Sequence, residues 1–191
     1  AGHDTRAGGD GSAILVGDRG GGGLRGGGGD DHRRGGLGDD ILDGGAGDDV
    51  YYYSVGDGND RIVDSGGTDW LVLSGVTCGQ IALGVGSLKL GLPDGSALHL
   101  DDFDPDDPYA AGGIEYFQFA DGTVMTKGQL IDALGIHPTG TPGNDDLSGT
   151  ALPETIRALA GDDVVEARAG DDTVFADDGA DVVHGGDGHD T

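Results

Sequence analysis

The sequence predicts an all-β repeat fold, with two blocks of short strands built from nine-residue units and a non-repeating segment between them. Three observations predict it. Large apolar residues recur at every ninth position over long stretches. Glycine and aspartate fill the intervals between them. The intervening segment switches to the two-residue alternation of ordinary strands.

The clearest units are Gly35-Gly36-Leu37-Gly38-Asp39-Asp40-Ile41-Leu42-Asp43 and Gly44-Gly45-Ala46-Gly47-Asp48-Asp49-Val50-Tyr51-Tyr52. Both read G-G-x-G-x-D-x-U-x, where U is large and apolar. The glycine-rich half suits a turn, because glycine adopts backbone angles closed to other residues. After Tyr53-Ser54, which reads as a two-residue insertion, the phase resumes with Asp60 at position six and Ile62 at position eight, then with Asp69 and Leu71. It restarts at Gly140 and holds to Thr191. Position six there reads Asp145, Glu154, Asp163, Asp172, Asp181 and Asp190, and position eight reads Leu147, Ile156, Val165, Val174 and Val183. Residues 1–34 are degenerate: position six reads Asp4, Ala13, Gly22 and Asp31, and position eight reads Arg6, Leu15, Leu24 and Arg33. With two acids and two core residues lost, and with runs of glycine that are costly to order, this stretch is expected to be frayed or shaped only by its neighbours.

Composition narrows the function. Acidic residues number 36 against 10 basic ones, the net charge is −26, and only Glu115, Glu154 and Glu166 among the acids are glutamate. Aspartate suits turns and hard-cation sites. Such a charge strains a compact state unless cations neutralise it. It also argues against nucleic acid and anionic membrane surfaces as partners. Cys78 stands alone, so no disulfide forms within the chain, and a bound metal is the natural staple. No apolar run reaches the roughly 18 residues of a membrane span, and no signal-peptide pattern opens the chain. Gly-His-Asp-Thr occurs at both ends in the same repeat phase, which reads as a piece of a longer array.

These units resemble the RTX, or haemolysin-type, calcium-binding nonapeptide repeat. The resemblance implies two parallel β-rolls in which two units complete one coil, turns stack on two edges, and the U side chains face inward. It further implies calcium ions between each turn and the turn two units later, held by the aspartate carboxylate and backbone carbonyls. The ligand residues so implied are Asp31, Asp40, Asp49, Asp60, Asp69, Asp145, Asp163, Asp172, Asp181 and Asp190, with Gly36, Gly38, Gly45 and Gly47 in the turns. The expected pairs are Asp31 with Asp49, Asp40 with Asp60, Asp49 with Asp69, Asp145 with Asp163, Asp163 with Asp181, and Asp172 with Asp190. Glu154, beside Leu152 and Pro153, departs from the pattern. The insertion at Tyr53-Ser54 puts its own coil in question. Asp39, Asp48, Asp162 and Asp171 are read as turn residues.

Between the blocks, Leu88–Leu92 and Ala97–Leu100 read as a hairpin around Pro93-Asp94-Gly95. Ile114–Phe119 reads as another strand, and Thr126-Lys127-Gly128-Gln129 as a capping box opening a short helix closed by Gly135. This order resembles the haemolysin-type calcium-binding-protein-related domain. It implies a small β-hairpin and short-helix capping domain, with Trp70, Tyr116, Phe117 and Phe119 as core or cap residues. The expected organisation is thus a first repeat block at 1–72, a cap at 73–136 and a second block at 137–191.

No catalytic motif appears: there is no H-E-x-x-H, no G-x-S-x-G and no phosphate loop. Two functional classes follow from the resemblance. One is a bacterial, secreted module that leaves the cell through a type I secretion apparatus and folds on calcium outside. The other is a segment of a long surface adhesin or matrix protein.

Overall fold

Each nine-residue unit contributes one short strand, and the strands of alternate units stack in parallel. The structure, a computed structural model, describes residues 5–84 and 87–191. The first block supplies β1 (Thr5–Gly9), β2 (Ile14–Val16), β3 (Gly23–Gly28), β4 (His32–Arg34), β5 (Ile41–Ala46), β6 (Val50–Ser54), β7 (Asp60–Val63) and β8 (Asp69–Ser74). The middle segment supplies β9 (Ala82–Gly84), β10 (Leu88–Gly91), β11 (Ala97–Leu100), β12 (Ile114–Gln118), β13 (Val124–Thr126) and α1 (Lys127–Leu134). The second block supplies β14 (Asp146–Ser148), β15 (Thr155–Arg157), β16 (Val164–Glu166), β17 (Thr173–Phe175) and β18 (Val182–His184).

The two blocks are parallel β-rolls, as the repeat predicts. In the first, one sheet runs β1-β3-β5-β7 and the other β2-β4-β6-β8, every pair parallel. The register places position-eight residues opposite one another. Leu24 faces Leu42 and Leu42 faces Ile62 in one sheet; Leu15, Arg33, Tyr51 and Leu71 form the column in the other. The aliphatic and aromatic members of both columns are buried in one core cluster. The second block repeats the plan, with β14-β16-β18 in one sheet and β15-β17 in the other, over a small core of Ile156, Ala158, Val165 and Ala167.

Residues 5–34 continue the coil of the later repeats. They form β1–β4 in register with the later coils; Leu15 and Leu24 supply buried core side chains, while β1 is exposed throughout and is held by its pairing with β3. Asp4, the first position-six acid, lies outside the described residues. The insertion at Tyr53-Ser54 is absorbed by lengthening one coil. Position-six residues across it pair at a spacing of 20 rather than 18, and Tyr53 turns inward, its hydroxyl donating to the Gly58 carbonyl at 2.6 Å.

The hairpin of β10 and β11 and the helix α1 form where the sequence places them. Thr126 caps α1, accepting from the Gln129 amide, and Gln129 accepts in return from the Thr126 amide. What the local pattern did not reveal is how the middle segment attaches. β11 adds in parallel to β7 and β12 adds in parallel to β8. Leu100 thereby follows Ile62, and Phe117 follows Leu71, in the two core columns. The antiparallel strands β10, β9 and β13 complete the sheets. The second block begins against this segment through hydrogen bonds from the His137 amide to the Leu83 carbonyl and from the Ala151 amide to the Pro105 carbonyl. Among the described residues, no helix is long and apolar enough to cross a membrane.

Candidate metal centre

The turns are held together by two ladders of aspartate. In the inner ladder, a position-six carboxylate accepts, through Oδ1, the backbone amide of position six one coil earlier. Asp49 accepts from Asp31 at 2.8 Å, Asp60 from Asp40 at 2.9 Å and Asp69 from Asp49 at 2.8 Å. Asp163 accepts from Asp145 at 2.8 Å, Asp181 from Asp163 at 3.0 Å and Asp190 from Asp172 at 3.1 Å. All six expected pairs are therefore neighbours, on two edges of each roll. The outer ladder uses position five: Asp39, Asp48, Asp162 and Asp171 accept amides of Asn59, Thr68, Ala180 and His189. These are turn roles, as the sequence suggested.

Glycine is required here for two distinct reasons. Gly36 and Gly38 sit at φ of 100° and 129°, and Gly45 and Gly47 at 95° and 121°, a region that side chains rarely tolerate. Position one is different: a methyl on Gly35 would stand 2.6 Å from Asp40 Oδ2, so that glycine clears space beside the carboxylate. In the second roll the position-two glycine is often absent, and Leu159 and Arg168 hold φ of 79° and 78° regardless.

The inner ladder uses only one oxygen of each carboxylate. Oδ2 of Asp40, Asp49, Asp69, Asp163 and Asp172 is buried with no hydrogen-bond partner among the described residues. Unpaired carboxylate oxygens out of water are costly, so a cation must meet them or the group must stay protonated. The titration behaviour agrees. Burial pushes the Asp60 and Asp69 carboxyls up to about 7, reinforced for Asp60 by Asp40 and for Asp69 by Asp64 and Glu115. Burial likewise raises Asp40, Asp49, Asp64 and Asp172. Hard carboxylate and carbonyl oxygens, spaced along a turn, suit calcium.

One cluster was not foreseen. Oxygens of Asp49, Asp64 and Asp69 lie within 4.8 Å of one another, all on buried residues. Asp64 occupies position one of its unit, where glycine normally stands, and the signal was that substitution. Its Oδ2 accepts the Tyr51 hydroxyl at 2.6 Å. Glu115, on β12, extends the inner ladder beyond the repeat by accepting the Asp69 amide at 2.7 Å.

Other predicted positions differ in character. Asp145 Oδ2 accepts the Thr141 amide at 2.6 Å. Glu154 accepts the amide and hydroxyl of Thr150, four residues earlier, in the same way that Asp145 accepts those of Thr141. Asp31 Oδ2 already has a partner in Arg33, at 2.7 Å.

A parallel roll whose turns are joined by aspartate ladders with spare buried oxygens defines a class of repeat built around cations. Residues 25–57, 54–75 and 154–191 match the RTX calcium-binding nonapeptide repeat, in 4 copies. No curated protein matches the chain. Among solved structures, the extracellular lipase LipA from Serratia marcescens is similar over 96% of this chain, at 16% identity and a TM-score of 0.36. This chain spans 29% of that lipase chain.

Proposed function

We propose that this chain is an extracellular, non-catalytic calcium-binding module of a secreted bacterial protein, and that calcium binding drives its folding. The observation that carries the proposal is the set of buried Oδ2 atoms without a hydrogen-bond partner on Asp40, Asp69, Asp163 and Asp172, each beside a turn of the inner ladder. The proposed ligands are the position-six aspartates, Asp40, Asp60, Asp69, Asp163, Asp172, Asp181 and Asp190 foremost, with backbone carbonyls of the glycine turns completing each shell. Asp64 adds a third carboxylate beside Asp49 and Asp69.

A site that forms only when two coils stack couples ion binding to folding. With 36 acids against 10 bases, the metal-free chain repels itself and stays open. Calcium is scarce in the cytosol and plentiful outside, so an open chain suits export through a type I apparatus and folding on arrival. Residues 73–136 act as a cap, since β11 and β12 continue both core columns and their antiparallel neighbours end the sheets.

Calcium titration by calorimetry on the full chain tests the reading. Several ions should bind, and Asp163→Asn and Asp40→Asn should each remove one while sparing the rest. Unchanged ion counts in both variants would sink the assignment of these residues.

A further inference from the structure

The Asp31–Asp49 step is built unlike the other steps of the inner ladder. Arg33 stands at position eight of its unit, in the core column between Leu15 and Tyr51, where the fold otherwise buries apolar side chains. Its side chain is 0% exposed. Nη2 donates to Asp31 Oδ2 at 2.7 Å and to the Gly44 carbonyl at 2.7 Å. Nη1 lies 3.2 Å from Asp49 Oδ2, an ion-pair contact without hydrogen-bond alignment. One cation thus bridges two position-six carboxylates from successive turns of one edge and a position-one carbonyl. A side chain on Gly26 would run into Arg33 Nη2, Asp31 Oδ2 and the Gly44 carbonyl, so the guanidinium fills the space that position-one glycine clears.

A charged guanidinium in an apolar column is tolerated only where acids meet it, and its planar fork is suited to two carboxylates at once. At Asp40, Asp163 and Asp172 the corresponding Oδ2 atoms have no partner. At Asp31 the oxygen is taken.

Resting on the calcium reading above, we infer that Arg33 is a resident cation that replaces a calcium ion at the Asp31–Asp49 step. This step is therefore closed without metal, and Asp31 ligates none. The charge count supports this. Arg33 leaves one net negative charge on the Asp31–Asp49 pair, while Asp64 and Asp69 add two more on the next step, which still calls for a divalent ion.

Ion counts by native mass spectrometry on the full chain test the inference, with circular dichroism at saturating calcium to check that each variant folds. Arg33→Leu restores an apolar residue to the column and frees both carboxylates. It should bind one more calcium than the wild type and need more calcium to fold. Asp31→Asn should leave the count unchanged, whereas Asp40→Asn should lower it by one. An unchanged count in Arg33→Leu, or one ion lost in Asp31→Asn, would overturn the inference. Should Arg33→Leu fail to fold, the Asp31→Asn count decides. A wild-type chain that binds no calcium would overturn the underlying reading as well, and is told apart by the wild-type spectrum alone.

Discussion

Replacing Asp60 by asparagine should have opposite effects with and without calcium. The Asp60 carboxyl is buried, and its pKa is pushed from 3.8 up to about 7, first by desolvation and then by the charges of Asp40, Asp57 and Asp39. A raised carboxyl means that the metal-free fold holds a proton which the unfolded chain gives up. Its contribution is fully present below about pH 4 and is lost as pH rises through about 7. A displacement of about three units corresponds to roughly 4 kcal/mol of penalty at pH 8. Asparagine keeps an oxygen to accept the Asp40 amide, so the ladder survives while the penalty disappears. In chelator at pH 8, Asp60→Asn should therefore stabilise the fold by up to about 4 kcal/mol, and at pH 4 by close to nothing. In saturating calcium the same change removes a ligand and should destabilise. Osmolyte-induced refolding of the metal-free chain and urea unfolding of the calcium form, each followed by far-ultraviolet circular dichroism at both pH values, read all four cases. The reasoning is refuted if Asp60→Asn has the same effect in chelator at pH 4 and pH 8.

Other expectations follow from the same structure. Metal-free wild type should gain strand signal on acidification from pH 8 to pH 5, because Asp60 and Asp69 both titrate near 7; a loss of signal would contradict the burial argument. Gly35→Ala places a methyl against Asp40 Oδ2 and should cost about 1–3 kcal/mol and weaken calcium binding, whereas Gly79→Ala, with nothing nearby, should be close to neutral in calcium-dependent melting. Leu159→Gly relieves a side chain held at φ 79° and should raise the melting temperature of the calcium form by a few degrees, about 1 kcal/mol.

The coils were legible because one unit reports on itself: glycine, aspartate and an apolar residue at fixed offsets prescribe turn, ladder and core. Asp40, Asp163 and Asp172 were set in phase this way, and the expected pairing of Asp40 with Asp60 across the insertion is present as a hydrogen bond. Arg33 was misjudged as a lost core position. Judged by type it is the wrong residue for a core column, and only the fold reveals that two carboxylates converge on it. Asp64 drew no role from the sequence, since its meaning depends on Asp49 and Asp69 in other turns. The hairpin of Leu88–Gly91 and Ala97–Leu100 is a local signal and was recognised. The parallel addition of β11 to β7 joins Leu98 to Asp60 across a long loop, and no nearby residue encodes it.

The central claim is that calcium, bridging aspartates of successive coils, turns this acidic chain from an open polymer into a β-roll. Far-ultraviolet circular dichroism of the full chain in chelator at pH 8, followed by addition of calcium to millimolar levels, tests it most directly. A coil spectrum that converts to strand on calcium and returns on chelation is the predicted result. A full strand spectrum in chelator, unmoved by calcium, would contradict it.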